Sequence, residues 1–125
     1  MIKVLYFDHD KELKEKYFPR LNRALNEHSD IELDAMDIPV SFNFGVGVEQ
    51  LEARLPMYNV LVCHPGVNGQ DYIFNKIPIK FPNLRTIILT DAPSDYIYES
   101  KGNVTILSFN NIGSIINYIL NLESC

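Results

Sequence analysis

Two short stretches hold the residues whose types and spacing could do chemistry. Asp8-His9-Asp10 follows an apolar run and sets two carboxylates around one imidazole. Such oxygen donors suit magnesium, although binding by two carboxylates alone is weak. Cys63-His64 closes a second apolar run. A thiol beside an imidazole suggests an activated nucleophile, but neighbours on an extended strand point to opposite faces and cannot readily share a proton. His64 can instead meet His9 if their strands are adjacent. The two imidazoles and Asp8 then make a ligand set of the transition-metal type; the alternative is a pair of loop histidines with ordinary hydrogen bonds. Gly45-Val46-Gly47 lacks a third glycine and follows no strand directly, so it reads as a flexible turn and not a dinucleotide loop.

These residues depend on strands to hold them. Val60 to Cys63 is a short apolar run closed by Pro65-Gly66, the pattern of a strand buried on both faces. Chemistry collects at the carboxyl end of such a strand, here the loop from His64 to Asn68. Ile2 to Phe7 is a first strand of the same kind, and Asp10 can cap the helix that follows. Leu13, Tyr17, Leu21 and Leu25 give that helix its apolar stripe, while Pro19 predicts a kink or split near Phe18. Ile31 to Met36 alternates as a half-solvated edge strand, with Glu32 and Asp34 outward. An irregular connection over 37–47 leads to a short helix from Val48 to Leu55, stopped by Pro56. Any helix over Asp71 to Ile79 is short. Leu84 to Thr90 and Val104 to Leu107 are further strands; Asp91 to Gly102 reads as a loop, and Asn111 to Leu122 as a closing helix. Five alternations of strand and helix predict an α/β fold, a doubly wound five-stranded parallel sheet of order 2-1-3-4-5 with helices on both faces, flavodoxin-like.

Composition narrows the function classes. The 125 residues suit one domain, 1–125, with a core large enough to need no staples. A net charge of -5 argues against a nucleic-acid face. The basic residues from Lys11 to Arg23 are interrupted by Glu12 and Glu15, as on a solvated helix face. No run of about 18 apolar residues offers a membrane span. Acidic residues by position 8 do not fit a secretory signal, and the two cysteines suggest no disulfide framework. Asn103-Val104-Thr105 matches a glycosylation sequon, which counts for little without a signal peptide. The chain is expected to be cytoplasmic.

The order of these motifs resembles the receiver domain of two-component response regulators from end to end. The family's first strand leads into acidic residues, as VLYFDHD does here. Its third strand runs into a Met-Pro-Gly-x-Asp-Gly loop, matched by His64-Pro65-Gly66-Val67-Asn68-Gly69, and its fourth ends in Thr or Ser, matched by Thr90. Its fifth ends in Lys-Pro-Phe, where this chain has Leu107-Ser108-Phe109. The resemblance also marks losses. The aspartate that accepts phosphate stands four residues before the loop proline, which is Leu61 here, with Cys63 and His64 the only other residues near the strand end. The phosphate-contacting lysine falls at Leu107 or Ser108, and the second metal-binding acid at His9. Asp8, His9, Asp10, Leu61, Cys63, His64, Thr90 and Ser108 would then line a degenerate pocket that binds magnesium weakly, through Asp8 and Asp10, or holds no cofactor.

What the resemblance implies is a non-catalytic, receiver-like regulatory domain acting through protein–protein contact. Partners would be a sensor kinase or a downstream regulator, or a second copy in a homodimer, with no role for nucleic acid or membrane. The face from Thr90 to Leu122 is the one receivers use, with Tyr96, Tyr98, Phe109 and Tyr118 as candidate anchors; Tyr72 and Phe74 are further surface candidates. Asp8-His9-Asp10 also resembles the opening motif of haloacid-dehalogenase-type phosphatases, which implies a magnesium-dependent phosphoryl-transfer enzyme using Asp8 and Asp10. Asp91 and Asp95 would be its only downstream acids, and Lys11 replaces the motif's glycine.

Overall fold

Apolar runs long enough to be covered on both sides require a sheet between two helical layers, and this is what forms. The computed structural model describes residues 1–42, 44–90, 100–101, 103–108 and 112–121. β1 (Ile2–Asp8), β2 (Ile31–Ala35), β3 (Val60–His64), β4 (Arg85–Thr90) and β6 (Val104–Ser108) are mutually parallel. Their order is the expected doubly wound, flavodoxin-like one, with β6 as the fifth parallel strand. A sixth strand departs from the loop expected over Asp91 to Gly102: β5 (Ser100–Lys101) pairs antiparallel with the outer side of β6.

The pleat divides the core in two. Val4, Tyr6, Val60, Val62, Ile87 and Leu89 face α1 (Lys11–Leu25) and α5 (Ile112–Asn121), which bury Tyr17, Leu21, Leu25, Ile115 and Ile119 against them. Leu5, Phe7, Leu61, Cys63 and Ile88 face the other layer. That layer comprises α2 (Val48–Arg54), α3 (Gly66–Asn75) and α4 (Ile77–Lys80), which contribute Leu51, Ile73 and Ile77.

Three local expectations need correction. Of the kink or split expected near Phe18, the split does not occur: α1 runs unbroken through Pro19. Pro19 and Glu15 are exposed, so the carbonyl that loses its helical partner faces water. The stretch after His64 is barely a loop, because α3 starts at Gly66 and runs ten residues. Pro65-Gly66 acts as the helix entry: Pro65 sits at the N-cap and Gly66 takes φ 77, a region open to glycine. Asp34 is half-buried instead of solvated, accepting a 2.7 Å hydrogen bond from the Tyr58 hydroxyl, which in turn accepts one from Arg54. Partial burial and the Asp34 carboxylate together raise the Tyr58 phenol above its ordinary range. Pro56 does stop α2, passing the chain into a 3-10 turn at Leu55–Met57. Among the described residues, no helix is long and apolar enough to cross a membrane.

Candidate functional site

In a sheet of this order the chain leaves β1 and β3 in opposite directions, which opens a crevice at their carboxyl ends. Register puts Asp8 directly opposite His64 at that point. Asp8 is the last residue of β1, and its side chain is fully buried. Its Oδ2 accepts a 2.9 Å hydrogen bond from the Tyr6 hydroxyl, and its Oδ1 accepts one of 3.0 Å from the backbone N–H of Asp10. Tyr6 stands on the same strand face two residues earlier. Burial, reinforced by the Asp8 charge, pushes its phenol far above the ordinary value, so it remains a donor.

The two imidazoles approach Asp8 from either side of the crevice. Nδ1 of His9 lies 3.4 Å from Asp8 Oδ1, and Nδ1 of His64 lies 3.6 Å from the same oxygen. The His9 backbone N–H donates to the His64 carbonyl at 2.9 Å, and His9 Nδ1 is also 2.9 Å from that carbonyl. Both contacts tie the chain leaving β1 to the end of β3. The rings stack at 5.6 Å between centroids, and Tyr17 from α1 meets the His64 ring edge-on. The His64 side chain is 13% exposed and that of His9 36%. Gly66 completes the crevice: a Cβ there would sit 3.2 Å from the His9 ring, on a backbone with positive φ. Across the crevice rim, the Val40 N–H donates to the Asp8 carbonyl, seating the 37–47 connection on the end of β1.

Asp8, His9 and His64 are thus brought together, one ligand atom of each lying within 4.8 Å of the others. Asp10 is not part of that group. Its Oδ1 accepts from the N–H groups of Glu12 and Leu13 at 2.7 and 3.3 Å, capping α1. Leu61 does not reach the crevice at all: it is fully buried three residues inside β3, opposite Leu5 and Thr86. Cys63 points into the α3 side of the core, away from His64, and burial holds its thiol well above the ordinary range. Thr90 and Ser108 are paired in register at the ends of β4 and β6, farther along the same edge, and Ser108 is buried. Tyr118 is half-buried, its hydroxyl 3.2 Å from Thr105 Oγ1, which makes it a strut between α5 and β6. Tyr72 is also half-buried, stacked on Phe42. Tyr96, Tyr98 and Phe109 lie outside the described residues.

Sequence reasoning missed Tyr6 and Tyr17, although the two-residue period from Asp8 would have found the first. The second needed the packing angle of α1, which no local pattern encodes. No protein-family model matches the chain, and comparison with curated proteins and with solved structures likewise finds no match.

Proposed function

We propose that the chain is a receiver-like regulatory domain that takes no phosphoryl group and works through contact with a protein partner. The observation that carries this reading is the residue at the end of β3. In the receiver resemblance a carboxylate there faces the acids of β1 and accepts phosphate. Here the strand end facing Asp8 carries His64. The strand order and the hydroxyl of Thr90 at the end of β4 agree with that frame. Leu107 and Ser108 at the end of β6 supply no cation to hold a phosphoryl group. Partner contact is assigned by the same resemblance to the face that includes α5, with a sensor kinase, a downstream regulator or a second copy as the partner class. The competing phosphotransfer reading has less support, because Asp10 is turned to the first turn of α1 and not toward Asp8's ring of neighbours.

Amide NMR spectra recorded with magnesium and then beryllofluoride test the proposal. Magnesium-dependent shifts confined to the neighbourhood of Asp8, with no further response to beryllofluoride, are expected. Saturable shifts spreading to Thr90 and α5 would show that a carboxylate still takes the phosphoryl mimic, and would overturn it.

A further inference from the structure

We infer that Asp8, His9 and His64 form a binding site for a divalent transition-metal ion of the zinc class. The inference goes beyond the regulatory proposal and does not depend on it.

Ligands about 2.0–2.1 Å from a tetrahedral ion stand about 3.3–3.4 Å from one another, the edge of the tetrahedron being 1.63 bond lengths. The two edges that meet at Asp8 Oδ1 measure 3.4 Å to His9 and 3.6 Å to His64. Only the third edge, between the two imidazoles, has to close, and the partly exposed His9 is the ring with room to move. Its Nδ1 now contacts the His64 carbonyl, a hydrogen bond in the tautomer that carries a proton there. A metal ion would take His9 through Nδ1 in the other tautomer.

Electrostatics points the same way. Asp8 is a buried carboxylate, and no lysine or arginine among the described residues pairs with it. Buried carboxylates are normally paired or metal-bound. His64 Nδ1 is itself buried, has no hydrogen-bond partner among the described residues, and faces Asp8 Oδ1. A bound cation would answer both deficits at once. The remaining Asp8 oxygen is already held by Tyr6, the kind of outer partner that orients a metal-ligating carboxylate.

Ligand chemistry selects the ion. Two imidazole nitrogens and one oxygen favour zinc and its first-row neighbours over magnesium, which prefers oxygen alone. Three protein ligands leave a fourth position for water or another donor.

The test uses the full chain without a polyhistidine tag, stripped with chelator, and titrated with Zn²⁺ by calorimetry and with Co²⁺ by visible absorption. One ion per chain is expected, with the intense absorption of four-coordinate Co²⁺ and amide shifts centred on residues 8, 9 and 64. His9→Ala and His64→Gln should each weaken Zn²⁺ binding by more than about tenfold, and Tyr6→Phe by about tenfold, the usual effect of an outer-shell loss. His9→Ala alters a partly exposed side chain and keeps the test valid if His64→Gln fails to fold. Excess magnesium should not displace the ion. Absence of saturable binding, or Zn²⁺ affinity unchanged in His9→Ala, would overturn the site whatever beryllofluoride does.

Discussion

Counting from the loop proline places the lost acceptor at Leu61, whereas the fold places the strand end at His64. Restoring an aspartate at each position separates the two. Leu61 is fully buried among Leu5, Phe7, Leu51, Leu55 and Ile88. Truncating such a side chain costs about 2–5 kcal/mol. An unpaired ion left in the same place adds several more kcal/mol, even after relaxation. Leu61→Asp should therefore lose more than about 5 kcal/mol, comparable to the whole 5–15 kcal/mol that keeps an ordinary domain folded. His64→Asp puts the charge at the strand end, on a side chain that reaches solvent and faces Asp8. That variant should fold, and magnesium should raise its stability, because facing carboxylates attract a hard cation. Urea denaturation followed by far-UV circular dichroism, with and without magnesium, reads both. A cooperative Leu61→Asp transition within about 1 kcal/mol of the parent chain would refute the placement of Leu61 in the core.

Three further outcomes follow from local geometry. Gly69→Ala should gain about 1 kcal/mol of helix propensity in α3 yet destabilise overall. Its Cβ would lie 2.6 Å from Phe42 Cδ2 and 2.7 Å from Pro65 Cβ, an overpacking that costs about 1–3 kcal/mol, so the urea midpoint should fall. Asp10→Ala removes both cap hydrogen bonds of α1 and should cost about 1 kcal/mol in the same assay. Cys63 should resist iodoacetamide in the native chain, read by peptide mass mapping. Because its thiol is raised above 9.0 by burial, only the unfolded chain ionises there as pH climbs past that value. The stability this contributes is complete below pH 9.0 and falls above it by about 1.4 kcal/mol per pH unit, a slope that Cys63→Ala should lack when urea curves at pH 8 and pH 10 are compared.

Much of the fold is legible because burial on both faces leaves a coarse signature. β1, β3 and β4 are near-continuous apolar runs, and a strand with helices above and below has no solvent face to mark with polar residues. The stripe of α1 is equally plain, and Pro19 does not split the helix because it stands off that stripe, on the exposed side, where a missing hydrogen bond is answered by water. The start of α3 was hidden for the opposite reason. Pro65, Gly66, Asn68 and Gly69 are poor helix formers, and what makes the segment helical is tertiary: Ile73 is buried in the core, and Gly69 leaves the space that Phe42 fills. β5 has two residues and no periodicity to detect.

The candidate site shows which kind of sequence inference transfers. An offset counted from a motif assumes that the loop between strand and proline has its usual length. In this chain β3 continues to the residue before Pro65, and α3 opens immediately after it, so the spacing is compressed and the offset lands in the core. Topology is less brittle. Once β1 and β3 are recognised as parallel neighbours leaving the sheet in opposite directions, the last residues of each must face one another across the crevice, whatever the loop does. Pairing of the strand ends brings His9 and His64 beside Asp8 without any motif, at 3.4 and 3.6 Å. It also explains why the phosphate and metal readings of one edge diverge. The first depends on a carboxylate that an offset could only assume, and the second on Asp8 and His64 at the paired strand ends with the adjustable His9 beside them.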